Sequence, residues 1–582
     1  MPTARVFELF LIKPSHYDDE GYVIQWMVSS IPANTLATLN GLAMDCAARH
    51  ILGTDVEIRI TAWDETNTRI RPDLIARRIR DAGAGGLVAL VGVQTNQYPR
   101  AMDLARQLRA LDLQVCMGGF HVSGTIAMLP ETPPELKEAM AIGVSLFAGE
   151  AEGRLDEILV AAHRHELKPL YNFMKDLPDL ENQPTPFLPL EAVKRTSGVR
   201  TSFDAGRGCP FLCSFCTIIN VQGRKSRSRN ADDVERLIRA NLKQGVRSFF
   251  ITDDNLARNS NWEPIFDRLA EMREKEGLNI RIIAQVDTAA HKIRGFIEKA
   301  ARAGVNRVFI GLENINPESL KDAHKGQNRI TEYRTMLQAW HNVGTLVYAG
   351  YIVGFPNDTP ETIERDIRII QNELPIDLLE FFILTPLPGS ADHKKLHLSG
   401  VPMSADLNKY DLVHVTTGHG AMSEAELFGI YQKAWDIYYS DEHFERVIRR
   451  TKAWSFPHRE MMMKLFTFYA CYKVEGVHPL EGGYMRRKYR RDRRPSMKRE
   501  NPLVFYPKYA WEIIAKHAKL LRMYAHYSRM LKRVLADDTP HRDIAMEPVR
   551  EEEFEALEMY THTQAARDQT GRARKKVAAA VH

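Results

Sequence analysis

Three cysteines within eight residues are the part of this sequence best suited to catalysis. Cys209, Cys213 and Cys216 follow a C-x3-C-x2-C spacing, so one short loop can place three thiolates around three corners of an iron–sulfur cubane. Such clusters normally have four cysteine ligands, and no convincing fourth cysteine lies near this loop. One iron would therefore stay open, which is what a catalytic cluster needs in order to bind a ligand.

Two other interpretations of the three cysteines are open at this point. A zinc site would need a remote fourth ligand, such as one of the 20 histidines, and zinc motifs usually supply a second ligand pair that is missing here. A chance group of buried cysteines is the other interpretation. Cys46, Cys116 and Cys471 lie in apolar surroundings and are interpreted as small buried hydrophobic residues.

Glycine-rich and polar segments follow the strand-like runs after the cysteines. They are Thr252–Asn255, Gly311–Asn314, Gly350–Pro356 and Thr385–Gly389. Glycine lets the backbone approach a ligand closely, and carboxylates at the same level can hold an ammonium group or ribose hydroxyls. Each segment alone also fits an ordinary turn, but their order and spacing favour one shared ligand site.

The composition is that of an ordinary globular protein with several domains. Of the 582 residues, 44% are hydrophobic and 26% are charged, and this length favours two or three domains. No apolar run approaches the ~20 residues of a membrane helix, and the first residues lack the pattern of a signal peptide. We therefore expect a cytoplasmic protein.

Positive charge is concentrated in one segment. Nine Lys and Arg residues and a single Asp lie in Arg486–Arg499, so the formal net charge of +5 does not describe the whole surface. We therefore expect no general nucleic-acid binding.

Residues 1–165 alternate between strand-like and helix-like patterns, as in a parallel α/β sheet. The predicted strands are Val6–Ile12, Val56–Trp63, Gly86–Val93, Gln114–Gly118 and Val144–Ala148, and the predicted helices are Thr35–His50, Pro72–Ala82 and Pro99–Leu111. The apolar runs are short and continuous, which is typical of strands covered on both faces. This predicts a doubly wound domain that binds ligands at the carboxyl ends of its strands.

A second series of strand–helix units begins after a proline-rich segment, residues 166–198, which is predicted to be an extended linker. Residues 199–395 then hold the predicted strands Val199–Ala205, Ser248–Thr252, Ile280–Val286, Arg307–Leu312, Val347–Val353 and Leu378–Thr385. Helical patterns separate them, for example Ala231–Gln244 and Pro360–Glu373. Six such units predict a partial (β/α)6 barrel better than a closed eightfold one.

Residues 396–582 are predicted to be mainly helical, with a disordered polar end. Ser423–Tyr439 begins with Ser423 and Glu426 at the positions of a capping box. Tyr509–Leu535 combines apolar residues with many Lys and Arg residues, which fits either packing on the barrel or contact with an anionic membrane surface. The basic segment before it would add to such a contact.

The segment Arg207–Cys216, with Phe215 directly before the third cysteine, resembles the cluster loop of the radical S-adenosylmethionine (SAM) superfamily. The resemblance extends over about residues 199–390 and includes the glycine-rich and polar segments described above. It implies a catalytic [4Fe–4S] cluster on the three cysteines, whose open iron is chelated by the amino and carboxylate groups of SAM. It also implies reductive cleavage of SAM to a 5′-deoxyadenosyl radical.

The same resemblance implies a set of SAM-binding residues. They are Phe215, Asp253, Asp254, Asn255, Glu313 and Gly354. The family has a Gly-Gly-Glu motif where this chain has Asp253-Asp254-Asn255, so the side chain that holds the methionine amino group is left open. Carboxylate and amide oxygens both accept hydrogen bonds from an ammonium group.

The N-terminal region resembles the Rossmann-like cobalamin-binding domain of class B radical SAM enzymes. The similar segments imply cobalamin contacts from Thr95, Gly118, Gly119, His121, Gly149 and Glu150. A plain flavodoxin-like domain with turn glycines is the alternative. The Asp-x-His-x-x-Gly loop that supplies an axial histidine elsewhere is missing after the first strand, so we expect cobalamin without a histidine ligand and His16 at the surface.

Together the two resemblances imply an enzyme, and a cobalamin-dependent methyltransferase fits best. It would methylate an unactivated carbon, or phosphorus, through the deoxyadenosyl radical and methylcobalamin, while the protein positions both cofactors and excludes water. One alternative is a cobalamin-dependent radical SAM cyclase or rearrangement enzyme without net methylation, similar to the anaerobic tetrapyrrole ring cyclase. Another is a non-catalytic cobalamin or iron–sulfur sensor.

The implied partners are a small-molecule substrate and a reducing protein such as flavodoxin or ferredoxin. The helical region after the barrel is expected to close over the substrate. If the basic C-terminal region makes a peripheral contact with the inner face of the membrane, a lipophilic substrate is expected.

Overall fold

Two six-stranded parallel sheets, one after the other along the chain, form the framework of the protein. The computed structural model describes residues 5–454, 456–539, 542–550 and 552–581. Two short antiparallel ribbons and a C-terminal group of helices complete the described part of the molecule.

The N-terminal sheet has the strand order β3-β1-β4-β5-β6-β7. The strands of this region are β1 (Arg5–Lys13), β2 (Gln25–Ser29), β3 (Val56–Asp64), β4 (Gly83–Leu90), β5 (Val115–Gly118), β6 (Val144–Ala148) and β7 (Leu170–Asn172). The helices are α1 (Asn34–Ala48), α2 (Pro72–Asp81), α3 (Tyr98–Arg109), α4 (Phe120–Met128), α5 (Pro134–Ala141) and α6 (Leu155–His163). The predicted strands and helices are all present, and the doubly wound α/β fold is confirmed.

Both faces of this sheet are covered by helices, which explains the continuous apolar runs. Phe7, Leu9 and Leu11 of β1 pack with residues of α1 and α6. Phe10 and Ile12 point the other way and pack with residues of α2 to α5. The chain leads from β1 to β3 on one side and continues to β4 on the other, so the loops after β1 and β4 diverge and leave a crevice.

Two strands of this half were not predicted. β7 lies within the predicted linker and adds a sixth strand beside β6. β2 forms an antiparallel ribbon with β16 (Gly483–Arg487), which lies near the other end of the chain. Local patterns do not indicate either strand, because β7 is only three residues long and the partner of β2 is remote in sequence. The rest of the linker contains the short helix α7 (Leu190–Val193).

The second sheet follows the order of the chain, β8-β11-β12-β13-β14-β15, with every pair parallel. Its strands are β8 (Arg200–Phe203), β11 (Ser248–Ile251), β12 (Arg281–Val286), β13 (Val305–Glu313), β14 (Leu346–Val353) and β15 (Leu378–Ile383), and β9 (Gly206–Arg207) pairs with β10 (Arg227–Ser228) in a small ribbon. The helices are α8 (Ile218–Val221), α9 (Ala231–Lys243), α10 (Trp262–Glu274), α11 (Phe296–Ala303), α12 (Pro317–Asp322), α13 (Ile330–Asn342), α14 (Pro360–Glu373) and α15 (Ala391–Leu398). The predicted partial (β/α)6 barrel is confirmed.

The C-terminal region is mainly helical. Its helices are α16 (Glu424–Tyr438), α17 (Asp441–Ala453), α18 (His458–Ala470), α19 (Pro502–Ala536), α20 (Glu553–Ala556), α21 (Glu558–Thr561) and α22 (Gln564–Val581). The predicted capping box is present, because Ser423 and Glu426 each accept a hydrogen bond from the other's backbone N–H. None of the described helices combines the length and the apolar content needed to cross a bilayer.

Two expectations for this region differ from the structure. The polar end of the chain, predicted to be disordered, is helical in the described residues, and Met559 and Tyr560 are buried against the barrel core. The basic segment Arg486–Arg499 is only in part a free charged surface. Three of its side chains form ion pairs with remote acidic residues: Arg486 with Asp18, Lys488 with Glu20 and Glu512, and Arg494 with Asp406. The segment therefore fastens the C-terminal region to the rest of the protein.

Candidate active site

The three cysteines lie on the loop between β9 and α8, just after the first barrel strand. Cys213 is buried, and Cys209 and Cys216 are partly exposed. Cys209 N donates to Gly223 O at 3.2 Å, and Cys216 N donates to Cys213 O at 3.2 Å. These bonds fix the loop at the carboxyl end of the sheet, where parallel α/β barrels bind their ligands.

The uncharged thiols are weak acids in this position. Burial raises the pKa of Cys209, and it raises the pKa of Cys216 to about 12. Iron would replace the thiol protons, because the metal ligand is the thiolate. In the described part of the chain, no three His, Cys, Asp or Glu side chains stand where one metal ion could bind them all. A cubane binds each thiolate at a different iron atom.

The acidic segment after β11 supports the cysteine loop. Asp253 accepts hydrogen bonds from Ala205 N at 2.6 Å and from Asn259 Nδ2 at 2.9 Å. Asp254 accepts from Gly208 N at 2.8 Å. Burial raises the pKa of both carboxyl groups to about 7. Each carboxylate therefore already binds the backbone that leads into the loop.

Asn255 offers the third side chain of this segment. Its Nδ2 donates to Asp287 Oδ2 at 2.8 Å, and the side chain lies near enough to Cys209 to oppose the rise in the pKa of that thiol. Its Oδ1 atom is buried and has no hydrogen-bond partner among the described residues. A buried acceptor without a partner can accept from a ligand donor, whereas the two aspartates already accept from backbone N–H groups.

Glu313, Lys325 and Gln327 form a polar group against the cysteine loop. Glu313 ends β13 at a φ of +64° and is ion-paired with Lys325. Burial opposes the charge of Lys325, but the Glu313 carboxylate raises the pKa of the amine above its ordinary value. Gln327 Nε2 lies 3.7 Å from Cys213 Sγ, and Lys325 Nζ lies 5.8 Å from the centroid of the Phe215 ring. An N–H donor and a cation therefore stand where a cluster would concentrate negative charge.

Gly354 shapes the turn after β14 at the same end of the barrel. Its φ is +98°, and a Cβ at this position would lie 3.1 Å from Leu427 Cδ1 of α16. The backbone N–H groups of Gly354 and Phe355 both donate to Asp358 at 2.9 Å. The turn therefore packs the barrel end against the C-terminal region, and Phe355 meets Phe215 there.

A cavity of about 180 Å³ lies at the crevice between β1 and β4. Most of its wall is apolar, and its residues include Leu9, Leu11, Leu87, Ala89, Phe147, Leu155 and Ile158. The predicted residues Gly118, Gly119, Gly149 and Glu150 all line it, and Arg207 and Gln222 line it from the barrel. Gly119 has a φ of +148°, and a Cβ there would lie 2.1 Å from Val93 N, so only glycine keeps this close approach.

Buried charges connect the edge of this cavity to the cysteine loop. Arg207, just before the cysteines, donates to Glu150 at 2.7 Å, to Glu152 at 2.6 Å and to Asp204 at 3.1 Å. Arg227 makes two further bonds to Glu150, at 2.5 and 2.9 Å. Burial would raise the pKa of Asp204 and Glu152, but Arg207 holds both below their ordinary values. We call these five residues the interdomain charge network.

Thr95 and His121 do not line the cavity. His121 Nδ1 lies 3.3 Å from Thr95 Oγ1, and its ring centroid lies 4.4 Å from that of Tyr98. Burial lowers the pKa of His121 to about 3, so the ring is neutral. The sequence places both residues near strand ends, but it does not say toward which side of the sheet they point.

His16 is buried, contrary to the expected surface position. Its side chain lies in the core between the domains, with Nε2 2.9 Å from Glu481 Oε1. Burial disfavours the charged ring, but the Glu481 carboxylate raises the pKa of His16 above its ordinary value. Asn96 Nδ2 donates to the same oxygen at 3.1 Å. Glu481 comes from the segment before β16, so no local pattern indicates this contact.

Several polar residues of the site were not among those predicted. They are Glu152, Arg207, Arg227, Lys325 and Gln327. Arg207 begins the cysteine segment and Glu152 lies two residues after the predicted Glu150, so a charged residue in or beside these segments was a usable signal. Lys325 and Gln327 follow α12 and carry no such signal, because only the fold brings them to the cysteines.

A family model described as the Radical SAM superfamily matches residues 205–370. The match begins just before the cysteine loop and ends within α14, so it spans most of the barrel.

Two characterised relatives match beyond the barrel. Bacteriochlorophyllide d C-8(2)-methyltransferase of Chlorobaculum tepidum is 27% identical over 351 residues, which are 56% of this chain and 72% of that protein. Hopanoid C-2 methylase of Rhodopseudomonas palustris is 25% identical over 334 residues, which are 56% of this chain and 61% of that protein.

A solved structure supports the same architecture. The radical SAM methyltransferase TsrM from Kitasatospora setae, with cobalamin and a [4Fe–4S] cluster bound, aligns with a TM-score of 0.53 and 16% identity. The alignment covers 68% of this chain and 79% of TsrM. At this level of identity the similarity concerns the fold.

Proposed function

This chain carries a radical SAM domain and is homologous to cobalamin-dependent radical SAM methyltransferases, and on that premise we propose that it methylates a carbon atom of a small molecule. One observation carries the proposal. The cysteine loop and the glycine-edged cavity are two separate candidate ligand sites, and the interdomain charge network joins them directly. A two-cofactor reaction requires such an arrangement, because both cofactors must reach one substrate.

The residues at the cysteine loop fit a [4Fe–4S] cluster. Cys209, Cys213 and Cys216 would hold three irons, and the fourth iron would be open to SAM. Gln327 would donate to a ligand sulfur, as it does to the Cys213 thiol. Asn255 Oδ1 would accept from the methionine ammonium group, which supplies the partner that this buried atom lacks.

The cavity at the crevice fits part of a cobalamin. A narrow apolar space between a parallel sheet and its helices suits the planar nucleotide tail, and Gly119 lets a ligand lie against the backbone. Thr95 and His121 support this region from the core and are proposed to have no direct contact with the ligand. When bound, the cluster supplies the electron that cleaves SAM, and cobalamin supplies the methyl group.

The residues of the protein itself would position the cofactors and keep water away from them. Lys325 and Glu313 form a buried ion pair beside the cysteines, and the Lys325 ammonium group would offer a fixed cation to the carboxylate of SAM. The buried charges of the interdomain charge network are paired with one another, so they do not need water as a partner. Phe215 and Phe355 cover the loop with apolar surface.

The substrate and partners belong to the same proposal. The names of the two relatives give a bacteriochlorophyllide and a hopanoid as methyl acceptors, which supports a lipophilic acceptor here. A low-potential electron donor such as flavodoxin or ferredoxin would reduce the cluster. We also propose a cytoplasmic protein with a peripheral membrane contact in its C-terminal region.

The experiment uses anaerobically purified and reconstituted full-length protein. Iron, sulfide and cobalamin are quantified, and the protein is then incubated with SAM, a strong reductant and a lipid extract. We expect about four irons per chain, bound cobalamin, and formation of both 5′-deoxyadenosine and S-adenosylhomocysteine. The variant Cys213→Ala should lose the cluster and the deoxyadenosine, whereas the control Cys471→Ala, far from the loop in sequence, should keep both.

Two results would change the conclusion. Deoxyadenosine without S-adenosylhomocysteine would favour a cyclase or rearrangement enzyme. Zinc in place of iron, or no cleavage of SAM, would exclude radical SAM chemistry altogether.

A further inference from the structure

The first half of α19 exposes a row of large apolar side chains. Their exposed fractions are 84% for Leu503, 58% for Val504, 60% for Tyr506, 70% for Trp511, 60% for Ile514 and 69% for Leu521. We call these six residues the apolar platform. Leu503, Ile514 and Leu521 are spaced so that they fall on one side of the helix. Several exposed large apolar side chains grouped on one helix are typical of an interaction site in a folded protein.

The apolar face with which α19 packs on the protein is separate from the platform. Tyr527, Met530, Leu531 and Val534, in the second half of α19, are buried against the protein, so that face is already used. In the first half, Phe505 and Tyr509 anchor the helix. Phe505 packs on Tyr22, and Tyr509 Oη bonds to the backbone of β16. The exposed row lies on the remaining side.

The charges around the platform are almost all positive. Helix α19 contains seven Lys and Arg residues and a single acidic residue, Glu512. Glu512 is ion-paired with Lys488 and Lys516. Lys519 and Arg522 are exposed on the helix, and Arg491, Lys498 and Arg499 are exposed in the segment just before it. Within the described residues, none of these five cations forms an ion pair with an acidic side chain.

From this combination we propose that the apolar platform docks on the surface of an anionic lipid bilayer, with α19 lying in the plane of the interface. Apolar side chains would enter the acyl boundary while the flanking cations stay at the lipid headgroups. Trp and Tyr, the residue types at positions 511 and 506, are enriched at the membrane–water interface. A second copy of the chain is a poorer occupant, because two-fold pairing of the platform would bring the same unpaired cations together.

The platform is linked to the candidate active site through the chain. Tyr509 of α19 bonds to Arg486 O of β16, and the segment just before β16 supplies Glu481 to the contact between Asn96 and His16. A docked α19 would therefore hold β16 and the contact of Glu481 with Asn96 and His16 close to the bilayer. The further step, that the methyl acceptor is drawn from the membrane, rests on the proposed function.

Vesicle binding tests the docking directly. Full-length protein is mixed with phosphatidylcholine vesicles, with or without about 30% phosphatidylglycerol, and bound protein is measured by flotation. We expect binding to the anionic vesicles, weakened by high salt, together with a blue shift of tryptophan emission as Trp511 leaves water. In Trp511→Phe the binding should persist while most of the shift disappears.

The decisive variant combines Trp511→Glu, Ile514→Glu and Leu521→Glu. All three side chains are highly exposed, so the fold should be unaffected, which circular dichroism checks. We expect partition to anionic vesicles to fall at least about tenfold, because the apolar contribution is lost and three negative charges are added. The matched control is Leu398→Glu on α15, a residue 59% exposed that lies outside the platform, and it should bind as the wild type does.

Three results would overturn the proposal. The first is no binding of the wild type to anionic vesicles, and the second is equal binding of the triple variant. The third is a wild-type dimer in sedimentation equilibrium that becomes a monomer in the triple variant. SAM cleavage in detergent is measured separately on the same proteins. Cleavage without vesicle binding would refute only the docking, and vesicle binding without cleavage would refute only the proposed function.

Discussion

At the scale of single residues, Glu380 is a buried carboxyl group to which the described part of the chain brings no charged partner. It lies on β15 at 1% exposure, and its Oε2 has no hydrogen-bond partner among the described residues. Burial raises its pKa from 4.5 to about 8. Between these two pH values the folded protein keeps a proton that the unfolded chain has lost. The free energy of unfolding therefore falls as the pH rises through this window.

We expect Glu380→Gln to flatten this dependence, because glutamine is neutral at every pH. The thermal midpoint of the variant should exceed that of the wild type at pH 8 and approach it near pH 5, with a limiting slope of about 1.4 kcal/mol per pH unit in the wild type. Thermal melts followed by circular dichroism at both pH values measure the effect. The exposed Glu263→Gln is the control, and parallel curves for Glu380→Gln would contradict the expectation.

Gln327 is a second residue whose effect can be measured separately. Its amide donates to Cys213 Sγ at 3.7 Å, and an N–H bond to a cluster sulfur stabilises the more negative, reduced state. Given the proposed cluster, Gln327→Leu should lower its reduction potential, as measured by a redox titration followed by electron paramagnetic resonance. Gln327→Asn, which keeps an amide, should shift the potential less. An unchanged potential in both variants would exclude this role.

At the scale of elements, the interdomain charge network connects the loop after β6, which holds Glu150 and Glu152, to the β9–β10 ribbon, which holds Arg207 and Arg227. Removing one carboxylate leaves the buried Arg207 partly uncompensated, because its bonds to Glu152 are lost. We expect Glu152→Gln to destabilise the protein by about 3 kcal/mol. Hydrogen exchange at the cysteine loop should also rise.

The matched control for this variant is Glu157→Gln. Glu157 lies on the neighbouring helix α6, where its carboxylate pairs with Lys168 at the surface. Exposed pairs of this kind contribute little, so the melting temperature should hardly change. If the two variants behaved alike, the buried network would not stabilise the junction of the two domains.

At the scale of the whole molecule, the β2–β16 ribbon joins the N-terminal domain to the C-terminal region. Trp26 is fully buried in this ribbon, and its Nε1 donates to Glu481 O at 2.8 Å. Trp26→Ala should cost about 3–5 kcal/mol and release the segment Arg486–Arg499 from the N-terminal domain. Trypsin should then cut within this segment faster than in the wild type. Trp511→Ala, at an exposed position, should leave the cutting rate unchanged.

Much of the architecture follows from short-range patterns. The five strands and three helices named for the N-terminal domain and the six strands of the barrel are all present, with boundaries shifted by a few residues. Periodicity suffices there because a strand covered on both faces must be apolar along its length. The Ser423–Glu426 capping box could also be predicted from the sequence, because its two partners are three residues apart.

The predictions that differ from the structure all depend on remote partners. His16 is buried because Glu481 meets it from the far end of the chain. The basic segment Arg486–Arg499 fastens two regions because acidic residues of the N-terminal loops face it.

The sequence by itself therefore determined the two sheets, the loop that carries Cys209, Cys213 and Cys216, and the glycines that edge the cavity. These features depend on residue type and local spacing. Only the tertiary structure decided that Arg207 joins the two sites, that Lys325 and Gln327 stand beside the cysteines, and which face of α19 is left exposed. The physical reason is that buried charge pairs and helix faces are set by which distant elements pack together, and a linear pattern carries no record of that packing.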